Sequence, residues 1–438
     1  MNTKTFLTLS FIFSVLMISC TKKQQNPLFE DFNTPYGSIP FSKIKNEHYM
    51  PAIDRGIELA KAEIDSIVNN PEAPTFQNTI EALEKSGSDL NRVNSIFFNI
   101  LEANSDEELM NLSLEASKKL SDYSTDIILN EGLWKRIKAV YENKDQLNLN
   151  PEEATLLQNT YDSFANSGAN LQGEDREKFK KLSSELSELT TVFGQNVLKE
   201  LNTYEIWLTK DDLSGLPETA VNAAAEAAKE KGREGEYLFT LAQPTYIAFM
   251  KYSSRPDLRE KMYKLYMGRN MQGEYSNMEN VKKISSLRLE IAKLLGFNNF
   301  AEQKLKDTMA QTPDAVYNLL DQLRDAYRPA QMKEFEELTA YASELEGKPV
   351  KIMPWDYSYY SNKLKEAKYS FDEEALRPYF ELNNVIDGVF GLATKLYGLK
   401  FTEVKDVDIY HPDVKAYKVE DENGKYVGLI YTDFFPRE

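Results

Sequence analysis

Apolar residues recur at steps of three and four along most of this chain, and that period admits little but helix. Between residues 52 and 68, Ile53, Ile57, Ala60, Ile64 and Ile67 form one stripe, the spacing of a single helix face turned toward a core. Comparable stripes run near residues 76–101, 107–141, 151–164 and 175–198. Thr312-Pro313-Asp314 opens a further helix. Thr is a capping residue, Pro suits the first helical position, and Asp favours the positive end of the dipole. That helix is predicted to run to about Ser343.

Strand signals are few. Residues 204–208 and 236–241 are short runs rich in aromatic and branched side chains, with an alanine-rich helix over 217–231 between them. Near the end, 414–419 and 426–435 flank Asp421-Glu422-Asn423-Gly424, and Asn-Gly between apolar runs predicts a hairpin. The chain therefore reads as mainly α, with a few short strands and a C-terminal hairpin. Its 438 residues, 42% of them apolar, suffice for a sizeable core. The net charge of −17 is spread along helix faces. It repels phosphate backbones, so no nucleic-acid partner is expected.

The one cysteine, Cys20, follows Lys4 and the apolar run of residues 6–19. A basic start, a short apolar core and a small residue before the break describe an export signal, too short to span a membrane comfortably. Met17-Ile18-Ser19-Cys20 resembles the lipobox of bacterial lipoproteins, loosely at its first position. The expected organisation is a signal peptide (1–19), a lipidated Cys20 with a polar tether (20–40), an N-terminal helical region (41–150), and a second helical region with small β elements (151–438). The chain would be exported and held on the outer face of a bacterial membrane, or on its periplasmic side, by the lipid alone.

Chemistry-bearing residues are sparse. There are two histidines, His48 and His411, whereas a catalytic zinc takes three protein ligands. No H-E-x-x-H, G-x-S-x-G, phosphate-binding loop or G-x-G-x-x-G occurs. His48 reads as a helix-entry residue in a loop. His411, among Asp406, Asp408 and Asp413, reads as part of a polar loop before a strand. With 69 acidic residues, chance carboxylate pairs are abundant and none stands out.

Several tracts nevertheless share one likeness. They are YLFTLAQPTY (237–246), SRPDLRE (254–260), YMGR (266–269), AKLLGFNNFA (292–301), PWDYSYY (354–360), RPYFEL (377–382), GVFGL (388–392) and YTDFFPRE (431–438). In this order they resemble the thimet oligopeptidase family of zinc metallopeptidases, closest to bacterial peptidyl-dipeptidase (dipeptidyl carboxypeptidase). The resemblance implies a helical ellipsoid split by a deep channel that admits oligopeptides, and release of dipeptides from their C-termini. Trp355, Tyr357, Tyr359 and Tyr360 would belong to the channel wall, as packing rather than as substrate ligands. The family's zinc is held by an H-E-x-x-H helix and a Glu on a following helix, downstream of the position matching Glu438. The chain thus reads as the N-terminal portion of such an enzyme, truncated before the catalytic subdomain. No catalytic or metal-binding residue carries over, no zinc is expected on this chain, and it is expected to be inactive alone. The alternatives are a non-catalytic peptide-binding lipoprotein, or one half of a split peptidase completed by a separate C-terminal catalytic chain. Arg259 and Arg269 are expected in ion pairs on a helix, and Asp433 and Arg437 are expected to orient the last strand.

Overall fold

In a computed structural model that describes residues 26–370 and 374–435, the apolar stripes become helices. Cys20, with the export signal, and Arg437 and Glu438 lie outside the described residues. In chain order the elements are α1 (Asn46–Val68), α2 (Ser88–Ala103), α3 (Glu107–Ile128), α4 (Glu131–Glu142), α5 (Pro151–Asn166) and α6 (Gly173–Leu201). Then come β1 (Ile206–Leu208), α7 (Glu218–Glu230), β2 (Tyr237–Phe239), α8 (Gln243–Tyr252), α9 (Pro256–Met267), α10 (Met278–Leu294) and α11 (Phe300–Leu305). The chain continues through α12 (Pro313–Glu346), α13 (Tyr357–Tyr369), α14 (Leu382–Tyr397), β3 (Lys400–Val404), β4 (Lys415–Glu420) and β5 (Tyr426–Thr432). Among the described residues, no helix is long and apolar enough to cross a membrane.

The mainly helical class holds, and the two short strands pair antiparallel with Trp207 opposite Leu238. Three local expectations need correction. The stripe over 76–101 is not one helix. Thr75 and Asn78 form a reciprocal cap that starts a π-helical turn, Phe76–Glu81, which an α-helical turn, Ala82–Lys85, continues. The chain then breaks at Gly87, whose φ of 71° lies in the left-handed region, before α2 begins. The stripe over 107–141 breaks at Asn130, whose side-chain oxygen accepts the Leu133 N–H at 2.9 Å and starts α4. The C-terminal hairpin has a third strand: β3 pairs antiparallel with β4, Thr402 opposite Lys418, giving the order β3-β4-β5. Because β3 is mostly exposed, it carries little apolar alternation for a sequence reading to find.

The described chain forms two compact units. The first comprises residues 26–63, 85–112 and 392–435. Tyr49 and Phe97 meet edge to face in its core, ring centroids 5.1 Å apart. Phe41 packs edge-on against Tyr410 and Tyr431, and Tyr36 stacks on Tyr426. Ser42 donates through its N–H and its hydroxyl to Asp408, at 3.0 and 2.5 Å.

The second unit comprises residues 64–84 and 113–391. Leu133, Ile137 and Val140 of α4 are buried with Ile80 and with Leu157 of α5, and Trp134 lies parallel to Phe164 in the same cluster. Burying such side chains contributes about 1.5–3 kcal/mol each, which makes these stripes decisive. Phe179 and Leu182 of α6 pack with Leu287 and Ile291 of α10. A third cluster gathers β1, β2, α7, α8 and α9 around Phe239, Phe249 and Met262. Trp207, on β1, has the Arg233 guanidinium over its ring at 3.9 Å.

Candidate functional site

The four aromatic residues singled out by sequence lie at the start of α13, and the structure gives them different surroundings. Ser253 ends α8, and Arg255-Pro256 starts α9, with Pro at a position that needs no N–H. One turn on, Arg259 is 1% exposed. Its guanidinium donates to the Ser253 carbonyl at 2.6 Å and to Asp356 Oδ1 at 2.7 Å. Asp356 precedes α13, and its other oxygen accepts the Met353 N–H at 3.3 Å. The Tyr359 ring lies against the same guanidinium, 4.2 Å from centroid to Cζ, a cation–π contact in a dry setting. Arg259 Nε has no acceptor among the described residues.

This corrects the expectation of a pair along one helix, because Arg259 reaches Asp356 across the fold. Arg269 also departs from that expectation. Its Nε donates to the Tyr266 carbonyl at 2.7 Å, and its guanidinium sits 3.6 Å from the centre of the Tyr266 ring.

Tyr360 is buried at 6% exposure. Its hydroxyl donates to Glu346 Oε1 at 3.1 Å, and burial, followed by that hydrogen bond, pushes its pKa up to about 12. Trp355 is half-buried against the β1–β2 cluster, 6.0 Å from Tyr263. Tyr357, by contrast, is 52% exposed. It lines a groove of about 420 Å³ shared with Tyr246, Met250, Lys251, Tyr263 and Lys365. Pro354, Ser358, Ser361, Asn362 and Ile247 complete the lining, and no carboxylate is among these residues. Tyr246 stacks on Tyr266 at 3.9 Å, and burial raises its pKa. Sequence reasoning placed Trp355, Tyr357, Tyr359 and Tyr360 together as a wall. The structure brings Tyr357 alone of the four to the groove, and adds Tyr246, Lys251 and Lys365. Tyr246 and Met250, one helical turn apart, were the available clue.

The two histidines do not meet a metal's needs. His48 is in the first turn of α1 rather than in a loop before it. Its Nδ1 accepts the Lys45 N–H at 3.1 Å, and its Nε2 is 3.9 Å from Glu47. His411 Nδ1 accepts the Asp413 N–H at 3.3 Å within the loop before β4. Among the described residues, no three His, Cys, Asp or Glu side chains are gathered as metal ligands. The described residues therefore do not fit the zinc that the family resemblance implies. Asp433, just beyond β5, accepts the Tyr410 hydroxyl at 2.7 Å. Its expected companion Arg437 lies outside the described residues.

Comparison with known proteins bears on these arrangements. Residues 249–438 match Peptidase family M3. A dipeptidyl carboxypeptidase of Escherichia coli (strain K12) is 35% identical over 416 residues, covering 94% of this chain and 61% of that protein. An oligopeptidase A from the same organism is 33% identical over 419 residues, covering 94% and 61%. A thimet-like oligopeptidase of Dictyostelium discoideum is 26% identical over 415 residues, covering 92% and 59%. The chain thus spans about three-fifths of the length of the curated relatives it matches. Residues 249–438 carry the pattern of peptidase family M3, and the likeness to its dipeptidyl carboxypeptidases and oligopeptidases, the thimet oligopeptidase kinship read from the tracts above, runs through 94% of the chain.

Proposed function

We propose that this chain supplies the peptide-accommodating wall of an M3-type peptidyl-dipeptidase, carried outside the cytoplasm on a lipid attached to Cys20. The observation that carries the reading is the continuous likeness to dipeptidyl carboxypeptidase over 94% of the chain. The 438 residues contain no H-E-x-x-H and only two histidines. Without the Lewis acid, no water is made acidic enough to supply hydroxide near neutral pH. The chain by itself therefore holds peptides but does not cleave them. The zinc-bearing elements come from polypeptide corresponding to the unmatched two-fifths of the relatives.

The test is to incubate the purified chain with zinc and an N-blocked oligopeptide and follow dipeptide release. No release is expected, with or without a chelator. Chelator-sensitive release by the chain alone would sink this reading.

A second reading, a peptide-binding lipoprotein with no catalytic partner, draws on the groove beside Tyr357. Its lining carries tyrosines, hydroxyls and two lysines, a concave surface with apolar and polar groups of the kind that holds small ligands. Titration calorimetry with oligopeptides separates the two. Saturable binding that stays unproductive when the catalytic elements are added favours the second reading.

A further inference from the structure

Helix α12 is covered near its C-terminus and bare from residue 317 to 337. Near its C-terminus Leu338 and Ala342 are buried with Tyr360 of α13, and the Tyr341 hydroxyl donates to the Lys363 carbonyl. Every residue from 317 to 337 is exposed. Yet this stretch is not polar all round. Leu320, Leu323 and Tyr327 follow one another at helical spacing, and beyond Pro329 the series resumes with Met332 and Phe335 and runs into buried Leu338. Tyr317 adds to the first part. These six exposed side chains range from 40% exposure at Leu323 to 66% at Tyr327. An exposed apolar series of this length on a bare stretch of helix, in two runs either side of Pro329, marks an interaction surface. The spacing is that read by an amphipathic helix laid alongside.

We propose that the exposed stripe of α12 is the docking face for an amphipathic helix from the part of the M3 peptidases that this chain does not match. That helix is supplied either on the same polypeptide or by a second one. The proposal rests on the functional reading above and deepens it by naming the surface.

Two observations select this occupant. The first is extent: the chain spans 61% of dipeptidyl carboxypeptidase and of oligopeptidase A, so each of these relatives has a large further portion to lay against such a face. The second is charge. Over the bare stretch, Asp321, Asp325, Glu334, Glu336 and Glu337 outnumber Arg324, Arg328 and Lys333, and Asp321 and Asp325 both pair with Arg324. A second copy of a −17 chain would bring the same acidic flank against itself, which like-charge repulsion disfavours.

The experiment co-expresses the full chain with a tagged probe, the C-terminal stretch of the E. coli dipeptidyl carboxypeptidase that lies beyond the match. A one-to-one complex is expected to co-purify. Leu320→Asp with Leu323→Asp, at exposed positions where the fold is unaffected, is expected to weaken it at least tenfold. Hydrogen exchange at residues 317–337 is expected to slow at least tenfold in the complex. The proposal is overturned by failure to form a complex, by a complex indifferent to the double variant, or by a self-association of the chain that the double variant dissolves. A complex that forms through α12 but releases no dipeptide leaves the docking standing and sinks the catalytic reading. Chelator-sensitive activity that ignores Leu320 and Leu323 sinks the docking alone.

Discussion

Arg259 and Asp356 form a demanding pair: the guanidinium is nearly sealed from solvent and its side chain is held at 2.7 Å by a carboxylate 97 positions away. Removing one partner of such a pair strands the other charge, at a cost of about 3–5 kcal/mol. Asp356→Ala is expected to lower the urea midpoint accordingly, whereas Arg259→Met combined with Asp356→Leu is expected to recover most of the loss. A single-variant cost below about 1 kcal/mol, the range of exposed pairs, would contradict the buried assignment. Sequence reading put Arg259 in a helix-surface pair because local spacing is all that a periodicity argument can see. Nothing local marks Asp356 as the partner, since a contact between distant segments leaves no period. The same limit applies to Tyr357, Tyr359 and Tyr360. They are indistinguishable as letters, yet one lines a groove, one stacks on a cation and one is buried against a carboxylate.

Elements were far more legible. Thr312 caps α12 through a hydrogen bond from the Ala315 N–H at 3.2 Å, as the Thr-Pro-Asp start implied, and the helix runs three residues past the predicted end. The Asn-Gly hairpin is present between β4 and β5. What escaped were the interruptions, because a three–four period continues smoothly across a one-residue break. The loop before α7 shows how tightly such a break can be set. Gly215 has a φ of +85°, and a Cβ there would lie 2.4 Å from the Tyr252 carbonyl oxygen. Gly215→Ala combines a left-handed backbone with a clash against main chain, so a loss of about 2–3 kcal/mol is expected. A lowered thermal midpoint would show it, and a midpoint unchanged within error would mean that the loop relaxes freely.

Across the whole molecule, three tyrosines share one electrostatic bias. Tyr49 in the first unit, and Tyr204 and Tyr360 in the second, each have a pKa raised to about 12, chiefly by burial, with carboxylates nearby adding to the shift. The fold thus disfavours the ionised form, while an unfolded chain ionises near 10. Their contribution to stability is complete below pH 10 and is lost as pH climbs from 10 toward 12. Alkaline titration is expected to show tyrosinate absorbance rising together with loss of helical circular dichroism. Tyr360→Phe should make the stability loss over that interval shallower. Tyrosines that all ionise near 10 with the helices intact would contradict the burial assigned to them. The division into units has an optical consequence as well. Trp134, Trp207 and Trp355, the three indoles of the chain, all belong to the second unit. Tryptophan emission therefore follows that unit alone. The sheet and aromatic core of the first unit are silent in it, and a fluorophore placed there would be needed to watch it melt.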